Sequence, residues 1–157
     1  MDSYFWVKLI HIIAAVVVTG TGAGIAFFML MAVRSKSEEA IRVVSRHVVL
    51  ADWIFTAPAV VIQLLSGIYL MNILNYSFGS LWFLTVISLF VFIGVCWIPV
   101  LFIQHKLRNI SQSENFELKS SQEFNKLFKI WVVLGIPAFT AILVLFWLMV
   151  FKPLPIS

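Results

Sequence analysis

Four apolar stretches, each long enough to cross a bilayer, limit what this chain can fold into more than any other feature. A hydrocarbon core of about 30 Å takes about 20 helical residues, and residues 4–33, 48–71, 81–104 and 130–151 each meet that length. In lipid every backbone N–H and C=O must be satisfied internally, so open segments of this kind are helices. The expected fold is all-α: a polytopic membrane protein, a four-helix transmembrane bundle forming one domain over residues 1–157. Only 11% of residues are charged and 62% are hydrophobic, against roughly 25% charged in a soluble domain. Little chain is left for a soluble catalytic domain. The first stretch exceeds the ~7–15-residue core of a secretory signal, so it is expected to stay in place as helix one.

Lys and Arg in short loops favour the cytoplasmic side. Arg34, Lys36, Arg42, Arg46, Lys106, Arg108, Lys119, Lys126 and Lys129 fall in the two loops on one face, while Lys8 and Lys152 flank the other. Both termini are therefore expected outside. The net charge of +4 reports this topology and contact with anionic headgroups, and gives no reason to invoke nucleic acid. Cys96, the single cysteine, reads as a small core residue.

The loops carry helix-start signals. Ser35-Lys36-Ser37-Glu38 and Ser120-Ser121-Gln122-Glu123 both fit the Ser-x-x-Glu capping box. Helix two is thus expected from about Lys36 to Met71 and helix four from about Ser121 to Phe151. Phe124, Leu127 and Phe128 alternate with Glu123, Lys126 and Lys129 at helical spacing, a pattern suited to the bilayer surface or to a docking partner. Pro58-Ala59 precedes Leu70-Met71 as Pro137-Ala138 precedes Leu148-Met149, which suggests two parallel helical-hairpin repeats. Each proline removes one backbone hydrogen bond, with Thr56 placed to compensate beside Pro58, and Pro99 marks a third such site. Trp6, Trp82 and Trp147 at one rim and Trp53 and Trp131 at the other read as an aromatic belt.

His11 is the leading candidate for chemistry, because an ionisable residue inside a span needs a reason to be there. By helical rise it lies about 10 Å from the outer start of helix one, and Gln63 lies about 12 Å from the outer end of helix two. The two can share a layer. His47, Asp52 and His105 stand about 25–30 Å away by the same rise. Ala15, Val18 and Gly22 follow His11 on one face, and Gly20 and Gly24 form a small-xxx-small pair, so something is expected to approach this backbone closely. That object is either a neighbouring helix or a flat ring system beneath an imidazole ligand. Asp52 reads as a boundary carboxylate that pairs with Arg46 or His47 or stays hydrated, the ion pair being the expected arrangement. No nucleotide-binding glycine loop, hydrolase elbow or Cys/His metal cluster is present.

Asp52-Trp53-Ile54-Phe55-Thr56-Ala57-Pro58-Ala59, then Gln63 and Ser66-Gly67, then Trp97-Ile98-Pro99-Val100 with Gln104, then Gly135-Ile136-Pro137-Ala138-Phe139 and Phe146 to Pro153 resemble the bacterial integral-membrane family called domain of unknown function 2269. The likeness implies a topology in the bacterial cytoplasmic (inner) membrane and no activity. More distantly, Trp6-x-Lys8-x-x-His11-Ile12 is similar to the first helix of HemJ-type membrane protoporphyrinogen oxidases and CopD-like copper-resistance proteins, which implies haem b with His11 as an iron ligand. The lysine that HemJ-type proteins use as a second ligand has no counterpart in the apolar part of helix three.

Two readings follow. In the first, the protein is a small redox or cofactor-handling, haem b-type protein, with His11, Gln63 and Gly22 around the cofactor. In the second it is a non-catalytic accessory subunit or assembly factor in which His11 and Gln63 hold helices together. A homodimer or larger membrane complex is compatible with both. A transporter, with His11, Gln63 and Asp52 lining a path, is a third.

Overall fold

The computed structural model describes residues 2–155. Helix α1 covers Asp2–Arg34, α2 Glu38–Ala51, α3 Ala57–Ile73, α4 Leu81–Ser111 and α5 Gln122–Phe151, with a π-helical turn at Asp52–Thr56 joining α2 to α3. The spans Ser3–Arg34, Glu38–Ile73, Leu81–Ser111 and Gln122–Phe151 are each long and apolar enough to cross a membrane. The all-α, four-helix expectation holds.

Serines start three of the helices, but not always the serines expected. Ser37 Oγ accepts the Ala40 N–H at 3.2 Å, two residues after Ser35, which instead donates back to Ala32 O at 2.7 Å. Ser121, and not Ser120, caps α5 by accepting the Phe124 N–H at 3.3 Å. Ser80 does the same for α4 at Phe83. Lys36 takes a left-handed φ of 57°, which ends α1 and delays the start of α2 to Ser37. Glu38 is thereby released from a capping box and accepts the Leu118 N–H at 3.3 Å, across the bundle end.

Helix α1 packs along the second span and α4 along α5, giving the two expected hairpins; α2 against α4 and α1 against α5 join them. The halves are not identical, because Pro58 follows a π-turn whereas Pro137 stands inside a regular α-helix. Thr56 Oγ1 has no hydrogen-bond partner, so it does not compensate for Pro58. The π-turn adjusts the backbone there, with the Ala57 N–H reaching Asp52 O.

Buried side chains concentrate at the basic end. Ile41, Leu107, Met29 and Phe124 are at most 2% exposed there. Phe116, Phe124, Phe128 and Trp131 form an aromatic column with successive centroids 5.2, 6.5 and 5.8 Å apart. The start of α5 is therefore core, not a foot on the bilayer surface. The reason lies in the segment before it: Phe116 folds back over the helix ends, and Asn125 Nδ2 holds Leu118 O at 3.0 Å. The hydroxyls of Ser45 and Ser111, 2.8 Å apart, and Gln112 Nε2 donating to Arg42 O at 2.9 Å tie α2 to α4.

The tryptophans divide by partner. Trp6, Trp53 and Trp147 are exposed, as a belt requires, whereas Trp82 and Trp131 are buried. Trp82 turns inward because its Nε1–H donates to Leu148 O at 3.0 Å, across α4 and α5. Cys96 is buried and free, as expected of a core residue.

Candidate functional site

From Asp52 to Ser66 the buried face of the second span is mostly polar, although the span is apolar by composition. Asp52, Thr56, Ala59, Gln63 and Ser66 recur at alternating spacings of four and three, and all but half-buried Gln63 are fully buried. Such spacing puts residues on one helix face. The stripe runs for about 21 Å at 1.5 Å per residue. Two clusters form along it, one at each end.

The first cluster ties α1 to α3. His11 Nδ1 lies 2.8 Å from Ser66 Oγ, and Gln63 Nε2 lies 2.9 Å from His11 Nε2. Ser66 commits its own proton to Ile62 O. The serine can then only accept from His11 Nδ1–H, which leaves the Nε2 lone pair to accept from the Gln63 amide. Both ring nitrogens are thus engaged, in the pattern of a neutral imidazole. Gly67 makes room for this: a Cβ there would stand 3.3 Å from His11 Cε1.

Of the residues expected around a cofactor, His11 and Gln63 meet and Gly22 stands apart. Gly22 lies three turns along α1 from His11, about 16 Å. Nothing lies within 4 Å of the position a Cβ would take at Gly20, Gly22 or Gly24, so the close approach expected there does not occur within the chain. It occurs at Gly67, where α3 meets the His11 ring; along α1 the fully buried positions are Ala14, Ile25, Met29 and Ala32, and Ala15 and Gly22 are only half-buried. Ser66 and Gly67 went unread as partners of His11, although their spacing from Gln63 places them on its helix face. For an iron to take His11, Gln63 would have to leave Nε2.

The second cluster surrounds Asp52, which is only 3% exposed. Thr56, Gln104 and Trp97 turn polar groups towards its carboxyl, and His105 lies close by. Yet Asp52 Oδ2, Thr56 Oγ1, Gln104 Oε1 and Trp97 Nε1 are buried with no hydrogen-bond partner among the described residues. The expected ion pair with Arg46 or His47 is not formed among the described residues. His47 points its Nδ1 to its own Val43 O at 2.8 Å, and His105 likewise to Leu101 O at 2.8 Å. Asp52, at the start of the π-turn, is buried in the bundle, whereas Arg46 and His47 stand on the exposed side of α2. No group of three or more His, Cys, Asp or Glu that could hold a metal occurs among the described residues.

These two clusters fall on the segments whose residues carried the family resemblance, and comparison with known families decides it. The model of DUF2269, predicted integral membrane proteins, matches residues 5–153. The chain belongs to this family. No curated protein and no solved structure matches it. Within this DUF2269 protein, the Asp52–Ala59 motif is the π-turn and its proline exit, and the Gln63 and Ser66-Gly67 motif is the seat of His11.

Proposed function

We propose that this protein is a non-catalytic accessory subunit or assembly factor of the bacterial cytoplasmic membrane, with both termini outside and His11 as a structural clasp. The observation that carries this reading is the engagement of both imidazole nitrogens, Nδ1 by Ser66 and Nε2 by Gln63. A ring held on both sides fixes the rotation of α1 against α3, with no lone pair left for a metal or a proton and no N–H left for a proton acceptor. A satisfied imidazole is also the form in which a histidine is tolerated inside a membrane bundle. Small-xxx-small pairs are helix-packing motifs, and the open Gly20 and Gly24 face of α1 suits a helix of a second copy or of another subunit.

The visible spectrum of the purified full-length chain, before and after haem reconstitution, tests the reading. Colourless protein that takes up no haem, with a lowered melting temperature in His11→Ala, is the expected result. A Soret band that disappears in His11→Ala would overturn it in favour of the haem b reading, with Gln63 displaced from Nε2.

A further inference from the structure

We infer that Asp52, Thr56 and Gln104 form an intramembrane site for a small exchangeable cation, a proton or an alkali metal ion. Three buried oxygens have no hydrogen-bond partner among the described residues, Asp52 Oδ2 and Thr56 Oγ1 from the π-turn and Gln104 Oε1 from α4, and the Thr56 and Gln104 side chains lie against the Asp52 carboxyl. Their residues are more than nine-tenths buried, at 3%, 5% and 4% exposure. A buried carboxylate with no positive partner is costly, and a proton on it, or a cation held between it and the Gln104 amide oxygen, removes that cost; the Thr56 hydroxyl can donate to the carboxyl or turn a lone pair to the cation. Hard cations take oxygen ligands of this kind, one charged and the others neutral.

The remaining neighbours narrow the ligand. Trp97 Nε1–H, also unpartnered, donates and so can serve the carboxyl without competing for a cation. Among the described residues no Lys or Arg acts on the carboxyl, and His105 is the titratable group that does. An anion would meet the carboxylate, and an uncompensated carboxylate is itself costly at this depth. The backbone is specialised as well, since single π-turns inside α-helices recur at functional sites.

This site stands independently of the His11 clasp, which lies at the other end of the stripe. Its test is the melting temperature of the full chain in detergent, for wild type and Asp52→Asn, across pH and with sodium, potassium or choline chloride at constant ionic strength. A melting temperature that rises with sodium or potassium but not choline, and a loss of that rise in Asp52→Asn and Gln104→Leu, identifies an alkali ion. A pH dependence present in wild type and absent in Asp52→Asn, without any alkali effect, identifies a proton. A hydrophobic carbodiimide, which adds to protonated carboxyls, should then modify Asp52 in membranes at low pH and spare Glu38 and Glu123. If wild type and Asp52→Asn respond identically to pH and to every salt, the cluster holds water alone and the inference is wrong.

Discussion

Two glycines should respond in opposite directions to the same added methyl group. At Gly67 a Cβ would stand 3.3 Å from His11 Cε1, and the ring is held on both sides and cannot give way. At Gly22 a Cβ would meet nothing within 4 Å. Alanine is favoured over glycine in a helix by roughly 1 kcal/mol. Gly22→Ala is therefore expected to leave the melting temperature unchanged or raise it, and Gly67→Ala to lower it. Equal shifts in thermal melts would show that the imidazole does not sit against α3. A double-mutant cycle on His11→Ala and Gln63→Ala isolates the clasp itself. Coupling of about 0.6–2 kcal/mol is expected, the range measured for hydrogen bonds between membrane helices.

At the scale of elements, α5 starts inside the protein and not on the bilayer. Phe124 is fully buried, between Phe116 and Phe128. Phe124→Ala should cost about 3–5 kcal/mol in detergent unfolding, as core phenylalanines do. A bilayer-surface residue would cost far less, so a loss under about 1 kcal/mol, the scale of surface substitutions, would return Phe124 to the interface. Ser121→Ala removes the cap on the Phe124 N–H and should cost about 0.5–2 kcal/mol. Ser120→Ala, one residue earlier, should be nearly silent. The serine motifs were legible as helix starts, but which serine caps depends on how the preceding turn closes.

For the whole molecule, the charge asymmetry predicts which end faces the cytoplasm. Single cysteines at Lys36 and Tyr76 in a Cys96→Ser background should differ in intact cells. The Tyr76 site is expected to react with a membrane-impermeant maleimide, and the Lys36 site only after the membrane is opened. The reverse pattern would invert the topology. The loop at Tyr76 is tied to the chain beyond α5, where Lys152 Nζ donates to Tyr76 OH at 2.9 Å, so both lie at the same end of the bundle.

Length and hydropathy alone determined the four spans, their order and the hairpin pairing, because a bilayer admits few alternatives to helices of that length. Depth along a helix is also a property of sequence, which is why His11 and Gln63 could be placed in one layer. Rotation is not. On helices apolar all round, the lipid-facing and buried sides have the same composition, so no pattern distinguishes Ala14 from Ala15. Ser66 and Gly67 became partners of His11, and Gln104 and Trp97 partners of Asp52, only once the helices had turned against one another. The π-turn at Asp52–Thr56 shows the same division: Pro58 announced a broken hydrogen-bond ladder, but packing decided that the repair would point a carboxyl into the bundle.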